Sequence, residues 1–494
     1  MKQITALPKI RVDGAELPDA LQLTDVRVTQ RLDAPAQCEL TWQLGHMDIS
    51  SLDSIALAPG AVLSLAIETQ PATLFAGEIT SVEHGHEPSG GFCLKVRAYD
   101  DLVRLQRRQS LNTHVDVTTS ELVRTLAGEA GLSVNSRADG PIWPRIVPRF
   151  DHDLALVRDY CRRSGLHFTF SDGELQLFPA EHDEGEATEL TLGDTLFEAR
   201  VERNSVQPLD SVRVFGWDPH SGDTRRVLVG ANTSAERAFL GTTVESDGEA
   251  EALAGAALHH NQAMGNVFWG VADGNAALGP GSRIRARGLA ADRGGPYRLT
   301  TVVHSIDTTS GYICELSSRP EPIETGEHAT VQNLVLGEVC DVEDPEDRGR
   351  VQVNLQSYNG AVSSWMLVLQ AGAGDDKGLV VLPEVGDRVL VGLPDGDPSR
   401  GIVLGGVYRS EGPPRDPQSA RSAGEHRPYT LTTRGGQRVQ LNDADGSIRL
   451  TNAAGSYLAL TPEGITMHAS GEMTIEAPGQ RLTLGSNEID MEQR

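Results

Sequence analysis

Along residues 8–100, apolar and polar positions alternate with period two. Val26-Arg27-Val28, Glu39-Leu40-Thr41-Trp42, Val62 to Ile67, Phe75 to Val82 and Phe92 to Ala98 predict strands, punctuated by Pro59-Gly60 and Gly90-Gly91. The period then changes. Thr118-Thr119-Ser120 is placed to cap a helix that carries Leu122, Val123, Leu126 and Ala130 on one face and stops at Gly131. A second helix starts near Asp153, turns Leu154, Val157 and Cys161 inward, and ends at Gly165. Strands resume at Leu166 to Phe170 and Leu175 to Leu177, and an Ala-rich helix at about 249–262 lies inside a second β region, 189–320.

The two β regions read as copies. Leu57-Ala58-Pro59-Gly60 leads into Val62 to Leu65, and Leu278-Gly279-Pro280-Gly281 leads into Arg283 to Ala286. Aromatic-led strands follow at Phe75 to Val82 and Tyr297 to Ser305, then Gly91-Phe92-Cys93-Leu94 and Gly311-Tyr312-Ile313-Cys314-Glu315-Leu316, at an offset near 221. Two similar β-barrels per chain are the expectation, and three chains would present six equivalent surfaces. Residues 334–408 form a separate unit. Six short strands are predicted there: Val335 to Val339, Arg350 to Leu355, Trp365 to Leu369, Gly378 to Leu382, Asp387 to Gly392 and Ile402 to Val407. Such density of strands and Gly/Pro turns predicts a small closed barrel.

The last sixth of the chain is a ladder. Pairs of apolar residues flank one polar residue at Val439/Leu441, Ile448/Leu450, Leu458/Leu460, Ile465/Met467, Met473/Ile475, Leu482/Leu484 and Ile489/Met491, about every eight residues. Turn formers such as Gly446, Gly455, Gly464 and Pro478-Gly479 separate them. Two apolar side chains do not offset the entropy of ordering about eight residues, so each rung is incomplete alone. Stacking rungs from several chains completes it and yields a rigid rod with a mechanical role. At one ~4.8 Å strand layer per rung, the rod is roughly 30–35 Å long.

Composition narrows the classes. The net charge of −26 excludes nucleic acid as the main partner. Five scattered cysteines (Cys38, Cys93, Cys161, Cys314, Cys340) carry no CxxC and fit buried thiols made in a reducing cytosol. Met1 to Leu7 does not read as a signal segment, and no apolar run approaches the ~18 residues of a membrane span. His84-x-His86 falls in a predicted loop, and His259-His260 cannot face one ligand on a helix. His468 stands alone in the ladder. The acidic turn Asp341, Glu343, Asp344, Glu346 and Asp347 is the strongest calcium candidate, yet an Asp-Pro turn accounts for most of it. No cofactor, catalytic residue or metal ligand is expected.

One set of motifs is long and ordered. Ala371-Gly372-Ala373-Gly374, Leu382 to Val391, Asp395-Gly396-Asp397-Pro398 and Val403 to Tyr408, with Asp344-Pro345 and Gly349 to Val353 upstream, resembles the OB-fold of VgrG and related spikes of contractile injection systems. Residues 1–325 are similar to the phage late-control D hub region (barrels near 1–100 and 189–320, a helical/β subdomain at 101–188), and 429–494 resembles a trimeric β-helix or β-prism needle after a linker, 409–428. Arg400-Gly401 departs from the family, which tends to have proline there; the expectation is an effect on a turn only. The resemblance implies a mainly β fold and a homotrimer whose core is made by Val439, Leu441, Ile448, Leu450, Leu458, Leu460, Ile465, Met467, Met473, Ile475, Leu482 and Leu484. It also implies a PAAR-type tip protein on Ile489 and Met491, inner-tube and baseplate partners, effector cargo and transient contact with a target membrane. Assembly would place a cytoplasmically made protein in a baseplate, of the extracellular or phage-like type given the short ladder. No attached enzyme is expected, since the segment between barrel and ladder is too short for a lysozyme domain. A trimeric glycan-binding tailspike, which needs clustered aromatics, and a cell-wall hydrolase, which needs paired acids, are the alternatives.

Overall fold

The computed structural model describes residues 8–17, 23–44, 57–86, 92–181, 186–205, 209–221, 223–231, 236–290, 293–322, 334–375, 377–409 and 428–492. The chain divides into two units, Met1–Gly406 and Val407–Arg494. The predicted Gly90-Gly91 punctuation and residues 410–427 of the predicted linker lie outside the described residues.

In the first unit the alternating stretches become β1 (Pro8–Val12), β2 (Ala15–Glu16), β3 (Leu23–Arg31), β4 (Gln37–Leu44), β5 (Val62–Ile67), β6 (Thr73–His86) and β7 (Phe92–Tyr99). The period of two is realised residue by residue: Phe92, Leu94, Val96 and Ala98 are buried along β7, and the residues between them are not. The middle region holds α1 (Val103–Gln106), β8 (His114–Thr118), α2 (Thr119–Glu129), β9 (Ser133–Ser136), β10 (Ile142–Ile146), α3 (Asp153–Arg163), β11 (Leu166–Ser171) and β12 (Glu174–Pro179). Helix α2 begins with a reciprocal cap. The Thr118 hydroxyl accepts from the Glu121 N–H at 3.2 Å, and the Glu121 carboxylate accepts from the Thr118 N–H at 2.8 Å. It stops at Gly131, whose φ of +76° suits a residue without Cβ. Its buried face, Leu122, Val123 and Leu126, packs with Trp143, Leu154, Val157, Cys161, Phe168 and Leu177 into one core.

The third region contains β13 (Thr188–Thr191), β14 (Leu196–Arg203), β15 (Ser211–Trp217), β16 (Thr224–Gly230), β17 (Glu236–Thr243), α4 (Asp247–Gly265), β18 (Asn266–Asp273), β19 (Arg283–Arg287), β20 (Tyr297–Arg298), β21 (Thr301–Asp307) and β22 (Gly311–Ser317). Strands of the two predicted barrels join in one eleven-stranded sheet, ordered β14-β18-β22-β21-β3-β4-β7-β6-β5-β1-β2. Antiparallel pairing of β21 with β3, Thr301 opposite Arg31 through Asp307 opposite Asp25, is the joint. A single core, with Trp42, Leu65 and Val96 from one region and Phe268, Leu299 and Leu316 from the other, runs beneath. The internal order repeats: β3-β4-β7-β6 in the first region corresponds to β14-β18-β22-β21 in the other.

Residues 334–406 carry β23 (Leu334–Asp341), β24 (Gln352–Leu355), β25 (Ala361–Val362), β26 (Arg388–Gly392) and β27 (Ile402–Gly406), in the order β25-β24-β23-β26-β27. Val339, Val353, Leu355, Met366, Val389, Val391 and Val403 form their core. Two of the six predicted strands differ. Trp365 to Leu369 makes only isolated bridges, Met366 to Val351 and Val368 to Val403. Gly378 to Leu382 forms no strand: Leu379, Val380 and Val381 are 51%, 78% and 50% exposed, and among the described residues no strand pairs with them.

The second unit holds β28 (Tyr429–Thr432), β29 (Arg438–Asn442), β30 (Ser447–Thr451), β31 (Tyr457–Thr461) and β32 (Gly464–His468), an antiparallel meander in chain order. The first four rungs therefore pair with one another inside one chain, because short turns close antiparallel hairpins locally. Among the described residues, Met473/Ile475, Leu482/Leu484 and Ile489/Met491 lie in no strand.

Candidate functional site: an uncovered apolar ladder and a buried charge lock

The alternation within each rung, combined with the pairing register, sorts the ladder into two faces. Leu431 stands opposite Val439, Val439 opposite Leu450, Leu450 opposite Leu458, and Leu458 opposite Met467. Leu441, Ile448, Leu460 and Ile465 form a parallel column beside them. Eight of the fourteen predicted trimer-core and tip residues are thus brought together in two apolar columns on one face. None of the eight is buried, and Ile465 and Met467 are 71% and 57% exposed. Covering eight half-exposed aliphatic side chains is worth roughly 6–12 kcal/mol. The other six, Met473, Ile475, Leu482, Leu484, Ile489 and Met491, are exposed and unpaired in strands. A strand added at an open edge gains one ladder of hydrogen bonds and no cover for its apolar pair.

The opposite face is polar. The Arg449 guanidinium lies 4.2 Å from the Tyr457 ring centroid, and Tyr457 stacks on His468 at 5.1 Å. His468 thus belongs to a ring stack. Beside the ladder is a hollow of about 430 Å³ bounded by Leu431, Val439, Leu450, Tyr457 and Leu458, with no carboxylate in its lining.

The second feature was missed by sequence reasoning. Arg400 is 3% exposed, not a residue of a solvent turn. Its guanidinium reaches Glu245 at 3.0 Å and Glu249 at 2.5 Å, and donates to the Thr243 carbonyl. Asp397, 3% exposed, lies 3.0 Å from Arg149 and 3.9 Å from Arg163, while Arg163 also reaches Glu249 at 2.9 Å. Arg149 and Arg163 both contact Asp159. This lock joins the OB region (Asp397, Arg400) to α3 and to the start of α4. Burial pushes the Asp397 carboxyl up, but Arg149, Arg400 and Arg163 outweigh it and hold it well below the usual carboxylate range. Three arginines face four carboxylates, and His220 stands at the border. Its Nδ1 is 2.7 Å from the Trp365 carbonyl and its Nε2 3.6 Å from Glu245. Burial opposes charge on His220, but Glu245, the Trp365 carbonyl and Asp218 raise its pKa. The legible signal was Arg400 in place of an expected proline.

Other candidates resolve into structure. The Asp344 carboxylate is occupied by Arg350 at 2.7 and 3.0 Å and by the N–H groups of Glu346, Arg348 and Arg350, so the acidic turn is an ion-paired loop. His84 and His86 lie on β6, a strand and not the predicted loop, and both rest against Phe92 at 5.7 and 5.2 Å. His259 pairs with Glu181. Cys314 Sγ is 3.2 Å from His304 Nδ1, but burial pushes the thiol up to about 11 and the imidazole down to about 4, so both are neutral and the thiol is no nucleophile. No described helix is long and apolar enough to cross a membrane.

Comparison with known proteins places these features. Residues 335–408 match the family model of the type VI secretion system/phage-baseplate injector OB domain, and residues 2–242 match that of the Alg8 N-terminal domain. The spike protein VgrG1c of Pseudomonas aeruginosa is 28% identical over 190 residues, 37% of this chain. That match covers 24% of the relative's own length. The fold is similar to the E. coli c3393 protein, a component of the type VI secretion system with structural similarity to the T4 tail proteins gp27 and gp5 (TM-score 0.54, 13% identity, 81% of this chain and 100% of that one). It is also similar to the lidded Francisella PdpA–VgrG complex (TM-score 0.55, 9% identity, 93% and 79%). The chain therefore carries an injector OB domain, has VgrG spike proteins among its relatives over part of its length, and has a fold similar to that of solved type VI secretion and VgrG structures.

Proposed function

We propose that the protein is the structural central spike of a contractile injection system. The observation that carries this is the pair of registered apolar columns left bare on one face of the ladder. Three such sheets, turned apolar face inward around one axis, bury the columns and present Arg449, Tyr457 and His468 outward. The interior then has the close packing that resists compression, which a puncturing rod needs. In this reading the hub sits on the inner tube and meets the baseplate, the OB region forms a collar, and Ile489 and Met491 meet a PAAR-type tip protein. Effector cargo travels with the assembly, and the role is mechanical, not catalytic. The exposed run Leu379 to Leu382 joins the collar's chain-to-chain surface. Gln370, which bonds the Val381 N–H at 2.9 Å and its carbonyl at 3.1 Å, holds that run extended.

The test is a solution mass. Light scattering on the full chain should give about 159 kDa, three times the 53.0 kDa protomer. A monomer at micromolar concentration would refute the reading.

A further inference from the structure

The charges of the buried lock do not balance. Its arginines are Arg149, Arg163 and Arg400, and its carboxylates are Asp159, Glu245, Glu249 and Asp397. Arg162 reaches Asp159 from solvent at 2.9 Å, so the shortfall lies at the other end of the lock. There, among the described residues, Glu245 has one arginine, Arg400, which it shares with Glu249 and Asp397. A buried carboxylate without its own cation is strongly disfavoured. The group that stands against Glu245 on its free side is His220.

The setting of His220 demands two protons. It follows β15 in a tight turn, where its N–H donates to the Asp218 carboxylate at 2.8 Å. Its ring is clamped between two acceptors: Nδ1 lies 2.7 Å from the Trp365 carbonyl, and Nε2 lies 3.6 Å from Glu245. A neutral imidazole carries one N–H. Given to Trp365, it leaves a lone pair facing the Glu245 carboxylate. Only the imidazolium serves both partners. The other charges around the ring offer no substitute. Asp218 is held by Arg225 at 3.2 Å, Arg225 also reaches Asp247 at the start of α4, and Arg400 is on the far side of Glu245. The partner at Nδ1 is lightly tied. Trp365 opens the segment 365–369, which is joined to the rest of the OB region by two isolated bridges, through the Met366 N–H to Val351 at 2.9 Å and the Leu369 N–H to Val403 at 2.8 Å.

We propose that His220 is a proton-operated latch between the OB region and the start of α4. Charged, it bridges the Trp365 carbonyl and Glu245 and completes the lock. Neutral, it leaves Glu245 unbalanced, and the segment from Trp365 to Leu369 loosens. The proton leaves to solvent, since the side chain is 16% exposed. Burial opposes the charge, but Glu245, the Trp365 carbonyl and Asp218 raise the His220 pKa. A raised folded value means that the latch is shut below the ordinary histidine value of about 6.5 and opens as pH rises through the folded one. The joint lies within one chain, so its test is independent of the spike reading.

Hydrogen exchange on the full chain, corrected for the intrinsic effect of pH on amide exchange, tests it. Peptides covering Met366 and Leu369 should lose about tenfold in protection between about pH 6 and about pH 8.5, while β7 keeps its own. His220→Gln keeps one donor for Trp365 but no charge, and should show the lowered protection at both pH values. His220→Lys stays charged across the range and should remain protected at both. Equal wild-type protection at the two pH values overturns the latch. So does a pH-dependent loss that persists in His220→Gln, which would assign the effect to another group.

Discussion

Arg400 shows how one residue changes the balance of a whole joint. Its three carboxylate neighbours, Glu245, Glu249 and Asp397, are all at most 6% exposed in their side chains. Removing the cation leaves them uncompensated in a poorly solvated site, so Arg400→Ala should destabilise the first unit by about 3–5 kcal/mol, measured by urea denaturation. Arg400→Ala with Glu249→Gln should recover part of that loss; a pair as unstable as the single variant would show that shape, not charge, holds the joint. Apart from Arg400 standing where proline was expected, the residue pattern did not reveal this lock, because its members come from sequence positions 149, 159, 163, 245, 249, 397 and 400. Charged residues read as solvated unless the sequence states which others surround them. The ladder residues were legible for the opposite reason: apolar side chains at fixed spacing declare one face whatever lies around them.

Elements with local causes were read close to their observed limits. Helix α2 starts at Thr119 and ends before Gly131 because the cap, the apolar stripe and the stop all lie within about one element's length. Thr118→Ala removes the cap's side-chain acceptor and should cost about 1 kcal/mol, read as a lower thermal midpoint. Elements that depend on a distant partner were not read. Gly378 to Leu382 has strand composition and no strand, and the joint between β21 and β3 spans about 270 residues of sequence. In the ladder, spacing gave the rungs but not their direction, which the short turns between consecutive strands set. Leu458→Asp with Leu460→Asp places two charges in the middle of the columns. It should convert the assembly to lower mass by light scattering while the first unit keeps its melting transition. An assembly of unchanged mass would contradict the shared core.

At the scale of the molecule, acidity acts on both sides of neutrality. Burial opposes charging His220 and His167, but Glu245 and Asp33 respectively raise both pKa values. Their stabilisation is complete below the unfolded histidine value of about 6.5 and is lost as pH rises through the raised folded values. His304 runs the other way: burial lowers it to about 4, so the folded state loses up to about 3 kcal/mol as pH falls from about 6.5 toward 4. His114 and His260, also lowered by burial, add to the acid-side loss. The thermal midpoint should therefore peak in mildly acidic buffer, and His220→Gln should flatten the alkaline limb alone. The two units differ in what sets their size. Breaking one contact in the first disturbs a core shared by distant segments, whereas each described strand of the second pairs only with the strands next to it in sequence. Such a meander obeys a parity rule: deleting or inserting two successive rungs shortens or extends the rod while the chain still exits on the same side, whereas a single rung reverses its heading, so homologous rods should differ in length by even steps.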